Sequence, residues 1–167
     1  VSNTAINYGG PFSAGSGAAI ITNGSTIIVS GNVISGNVTN GHGGGIDLGS
    51  SHIPTNTVIS DNMISFNSAE EGGGLYVSEN SAEIISNTIS ANTAITYGGG
   101  LSLYDSRAWI QDNDIISNTS QGGGGGVHAN GPGSGFEEDG GPALFGNNIL
   151  SNSAYINGGG VFLEFSA

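Results

Sequence analysis

At 167 residues and 36% hydrophobic content the chain fills a core only if that core is narrow. Thirteen acids stand against a single base, Arg107, for a formal net charge of −12, which excludes nucleic acid and anionic membranes as partners because phosphate binding needs clustered Lys and Arg. No apolar run approaches ~18 residues, so no membrane insertion is expected, and the lack of cysteine excludes disulfides and thiolate metal sites.

Taken in chain order, the elements repeat. The block Gly9-Gly10-Pro11-Phe12-Ser13-Ala14 reads as a variant of a motif, Gly-Gly-Gly followed by apolar-x-apolar, which returns at Gly43 to Leu48, Gly72 to Val77, Gly98 to Leu103, Gly124 to Ala129 and Gly158 to Leu163. Between these triplets stand asparagines in pairs five residues apart: Asn32/Asn37, Asn62/Asn67, Asn87/Asn92, Asn113/Asn118 and Asn147/Asn152, with Asn3 alone at the start. From the second asparagine to the next triplet the spacing is nine residues, except for eight from Asn67 to Leu75. From a triplet to the next first asparagine it is 20, 16, 12, 12 and 20 residues, so the insertions leave from one corner.

Such spacing predicts an all-β fold, a right-handed parallel β-helix of about five coils of 25–26 residues, with three short strands per coil pairing with their copies at ~4.8 Å. Residues 1–167 form one solenoid domain without evident caps, expected to be a segment of a longer solenoid or a filament subunit stacking head to tail. Alternation points Ile46/Leu48, Leu75/Val77, Leu101/Leu103 and Val161/Leu163 inward, and Val29/Ile34, Ile59/Ile64, Ile84/Ile89, Ile110/Ile115 and Leu144/Ile149 line the other inner faces. The eleven asparagines read as structural ladders, because asparagine tolerates a left-handed backbone at a corner and its amide bonds the identical amide above and below. The sequons at Asn37-Val38-Thr39 and Asn118-Thr119-Ser120 fall on ladder positions, where glycans are not expected.

The runs Ile64-Ser65-Phe66-Asn67-Ser68-Ala69 before Gly72-Gly73-Gly74-Leu75-Tyr76, and Ile89-Ser90-Ala91-Asn92-Thr93-Ala94 before Gly98-Gly99-Gly100-Leu101, resemble repeats of bacterial right-handed β-helix surface proteins. They are especially similar to the Phe-x-x-Asn and Gly-Gly-Ala-Ile repeats of chlamydial polymorphic outer-membrane proteins. The resemblance implies the fold and suggests an extracellular or cell-surface role; pectin-lyase-like enzymes share the architecture, and the carboxy-terminal barrel of the membrane proteins is not seen here.

Chemistry is sparse. The outward row of the triplet strands reads Ser13, Asp47, Tyr76, Ser102, His128, Phe162, with its acid and its histidine three coils, or about 14 Å, apart, too far to cooperate directly. Asp47, Tyr76, His128 and Phe162 are the candidate ligand-facing residues. Asp61 and Asp112 share a coil position two coils, or about 9.6 Å, apart, and Asp112 and Asp114 are near neighbours; single acids on solvent faces are their ordinary reading. In the insertion from Asn130 to Pro142, Glu137, Glu138 and Asp139 offer oxygens to a calcium ion, against the simpler reading of a solvated acidic loop. No catalytic residue, metal or cofactor is otherwise expected. The expectation is a non-enzymatic structural protein, filament subunit or adhesin segment of a prokaryotic surface, self-associating and open to glycan or cell-surface ligands; the alternative is a carbohydrate-active or carbohydrate-binding β-helix.

Overall fold

The computed structural model describes residues 4–5, 19–49, 57–131 and 141–164. Every described element is a strand of two to four residues, and every pairing is parallel. Four sheets run along one axis. The triplet sheet stacks Ile20–Asn23, Ile46–Gly49, Leu75–Ser78, Leu101–Tyr104, Val127–Asn130 and Val161–Glu164. The second sheet runs from Ile28–Ser30 to Ala143–Phe145, the third from Val33–Ser35 to Asn148–Leu150, and the fourth, only two residues wide, from Thr4–Ala5 to Ser153–Ala154. The fold is thus the all-β parallel solenoid that the repeats imply, five or six strands deep.

Two expectations need correction. Each coil carries four strands instead of three, because the backbone turns at both asparagines of a pair. The left-handed residue at these turns is not the asparagine but the residue before it: Gly31, Gly36, Asp61, Phe66, Ser86, Ala91, Asp112, Ser117, Gly146 and Ser151 all have φ between 53° and 70°. A left-handed L-residue costs about 1–2 kcal/mol, so something must hold it there. The following asparagine does. Asn92 donates its backbone N–H to Asn118 Oδ1 (3.0 Å), and its Nδ2 donates both to the same oxygen (3.0 Å) and to Ile64 O in the preceding coil (2.9 Å). Its own Oδ1 accepts the same pair of bonds from Asn67. One side chain therefore joins three coils, and the pattern repeats from Asn32 through Asn62, Asn87 and Asn113 to Asn147, and from Asn37 through Asn67, Asn92 and Asn118 to Asn152. Asn3 lies outside the described residues.

The second correction concerns the start. Ile20–Asn23 is the first described strand of the triplet sheet, with Ile20 beside Ile46 and Thr22 beside Leu48. No glycine triplet precedes it, which is why the spacing overlooked it; the block Gly9 to Ala14 lies outside the described residues.

The triplet, second and third sheets send their inward side chains into one continuous core. Columns such as Val29, Ile59, Ile84, Ile110 and Leu144 run like upon like, and Ile59, Ile84 and Ile110 are fully buried. Parallel stacking brings β-branched side chains into repeated contact, and each buried Ile contributes roughly 1.5–3 kcal/mol. On the fourth sheet the buried residues Thr39, Ala69, Ala94 and Ser120 are small, and the glycine segment passes close by. At Gly99 a Cβ would lie 2.5 Å from both Thr119 O and Gly125 O, so backbone packs directly on backbone there. Residues 50–56 and 132–140, which are not described, lie in the chain between a strand of the triplet sheet and one of the second sheet, where the spacing put insertions. The insertion expected between Phe12 and Asn32 does not lie there, because Ile20 takes the triplet position and is the ordinary twelve residues from Asn32.

Candidate functional site

The outward row of the triplet sheet is the place to look for chemistry, and it does not face solvent. Asp47, Tyr76, Ser102 and His128 point away from the interior, yet each is less than a tenth exposed, and Phe162 is half-buried. Their expected role as ligand-facing residues needs an open face that three of the four lack. What covers Tyr76, Ser102 and His128 is the residue immediately before the glycine triplet of the preceding coil. His42 stacks on Tyr76 with ring centroids 4.3 Å apart, Glu71 accepts a hydrogen bond from Ser102, and Tyr97 stacks on His128 at 4.5 Å. In each pair the covering residue belongs to the turn of one coil and the covered residue to the strand of the next. The rule survives its exception: at Gly123 there is no side chain, and the Phe162 ring lies where a Cβ would stand.

Polar groups in this row meet one another. Ser102 Oγ donates to Glu71 Oε1 at 2.7 Å and lies 3.3 Å from His128 Nδ1. His128 Nε2 faces Glu164 Oε2 at 3.5 Å, and His42 Nε2 approaches the other oxygen of Glu71 at 4.0 Å. Burial, with Glu71 second, pushes the Tyr76 phenol far above its ordinary range. Burial also pulls the His128 imidazole below its ordinary value, against the opposing influence of Glu71 and Glu164. Sequence reasoning missed His42, Glu71, Ser102, Tyr97 and Glu164 as partners; the readable signal was a large side chain directly before three of the glycine triplets.

The candidate acids elsewhere stay apart. Asp61 and Asp112 occupy exposed left-handed turns two coils apart, Asp112 accepts from Gln111 (2.9 Å), and Asp114 accepts from Asn148 (2.8 Å). Glu137, Glu138 and Asp139 lie outside the described residues.

A family profile described as periplasmic copper-binding protein, NosD, matches residues 3–166. The chain belongs to the NosD family. No curated protein and no solved structure matches it. The family is described as periplasmic, which is compatible with the expected extracellular or cell-surface location and coarser than it. The resemblance to β-helix surface proteins thus holds at the level of architecture.

Within this NosD-family chain, Ser102, His128 and Glu164 have the residue types of a nucleophilic triad, but not its working geometry. The Ser102 proton is directed to Glu71, the hydroxyl is fully buried, and the neighbouring N–H of Leu101 is bonded to Gly126 O. The Ser102 hydroxyl is thus enclosed, with its proton already engaged by a carboxylate instead of an imidazole. An open hollow of about 530 Å3 on the fourth sheet is lined by Thr119, Ser120, Gln121, Ser153, Ala154 and Tyr155, none of them an acid or a base.

Proposed function

We propose that this chain is a non-catalytic structural solenoid working outside the cytoplasmic membrane, as a rod, filament subunit or adhesin segment. One observation carries the reading: the acids, histidines and hydroxyl of the covered row are turned on one another beneath aromatic rings, bonding coil to coil instead of surrounding a cleft. General acid–base work needs a titratable group within reach of a substrate proton, and His128, the most enclosed of them, is 1% exposed. Regular Asn ladders and a thin Ile core supply what a rod requires, a cross-section that repeats without change.

The description of the NosD family includes copper binding. Among the described residues no three His, Cys, Asp or Glu side chains gather around one point. His42 and His128 approach opposite oxygens of Glu71, and the Ser102 hydroxyl stands between Glu71 and His128, so this set does not fit a copper ion bound by converging imidazoles. The reading gives copper no part in what these residues do.

Self-association and contact with glycans or cell-surface ligands belong to the same proposal; sedimentation and glycan-array binding test them. The decisive experiment is a screen of neutral and acidic polysaccharides for released reducing or unsaturated ends. No turnover above buffer is expected, and robust turnover abolished by Asp112→Ala or Asp47→Ala would overturn the structural reading.

A further inference from the structure

The covered row holds an imidazole in an unusual position. His128 is buried, with the Tyr97 ring at 4.5 Å and the Phe162 ring at 5.5 Å. Ser102 donates its proton to Glu71, so its oxygen is free to accept from Nδ1, and the neutral tautomer that satisfies both carries its proton on Nδ1. Nε2 then has no hydrogen-bond partner and faces a second acceptor, Glu164 Oε2, at 3.5 Å. The charged groups around the ring are Glu71, from a turn two coils back, and Glu164, from the adjacent strand of the next coil. His42 lies on the far oxygen of Glu71, and among the described residues the other groups packed on the ring are Tyr97, Ser102 and Phe162.

We propose that this cluster makes the flank of the solenoid acid-sensitive: proton uptake at His128 places a charge beneath the rings, and the covering turn at residues 95–97 lifts from the triplet sheet to admit water. The gap between Nε2 and Glu164 lacks the proton that would join them, while burial opposes the charge that the proton brings. Burial is the larger influence and holds the imidazole below its ordinary value. A folded-state value below that of the unfolded chain gives stability that is complete above about pH 6.5 and is lost as the pH falls. A protein outside the cytoplasm meets the pH of its surroundings, so the turn reports acidification directly.

The neighbouring rung supplies the test. Phe162 occupies the position of His128 one coil on, so His128→Phe keeps a ring in the stack and removes the titration. Thermal melting is measured for both proteins from about pH 7.5 to about pH 5, with amide exchange followed at residues 95–98. The wild type is expected to lose a few degrees of Tm more than the variant below about pH 6.5, with exchange in the turn rising only in the wild type. Parallel melting curves, or an imidazole whose NMR titration lies above about 6.5, would overturn the proposal. Should His128→Phe fail to fold, Glu164→Gln replaces it: its amide donates to Nε2 and favours the neutral ring, so the loss of Tm should still begin below about pH 6.5 but grow larger and extend to lower pH, and an unchanged loss refutes the idea.

Discussion

The asparagine corners and the flank beside the triplet sheet solve one problem, joining coil to coil, in opposite ways. At the corners every coil uses the same residue, because an amide is both donor and acceptor and therefore complements its own copy. On the flank each rung uses a different pair: His42 with Tyr76, Glu71 with Ser102, Tyr97 with His128. A carboxylate or an imidazolium stacked on its own copy would repel it, so the flank alternates partners of different kind. The corners therefore propagate a uniform rod, and the flank gives each rung its individuality, including the titratable groups.

Substitutions sharpen this contrast. Asn92→Asp should have the largest effect, since it replaces a buried amide that donates to Asn118 Oδ1 and Ile64 O with a carboxylate facing two acceptors. A loss of roughly 3–5 kcal/mol is expected in urea denaturation at neutral pH. Asn32→Asp, on an exposed rung of the other ladder, should cost about 1 kcal/mol or less, and equal losses would refute the claim that burial in the ladder carries the effect. Ser102→Ala should cost about 1 kcal/mol, because Glu71 keeps partial solvent access once it loses its donor. His42→Ala should be smallest, roughly 0.5–1 kcal/mol, removing one ring from a partly open stack over Tyr76. Denaturation midpoints that reverse this order would place the flank, and not the corners, at the centre of stability.

Much of this was legible in the residues. The five-residue spacing of Asn87/Asn92 marks two successive turns, and the alternation in Leu75-Tyr76-Val77 assigns inside and outside correctly because successive side chains of a strand point to opposite faces. The left-handed turn residues were not legible. Gly31, Asp61, Ser86, Asp112 and Gly146 share one corner with no common chemistry, because the next asparagine holds the conformation and the residue itself is free to vary. That Tyr76 and His128 are covered was not legible for a related reason: pointing outward from the core is a property of the strand, whereas being uncovered depends on the preceding coil.

From its order of residues alone, the chain determines the parallel all-β solenoid, its coil length and its Ile columns. These follow from short-range periodicity repeated many times, and each repeat corroborates the others. Only the tertiary structure decides that His42 lies over Tyr76 and Tyr97 over His128, pairs separated by 34 and 31 residues, a full coil and more. Their meeting depends on how the glycine turn lays one coil beside the next, a geometry that no local pattern encodes.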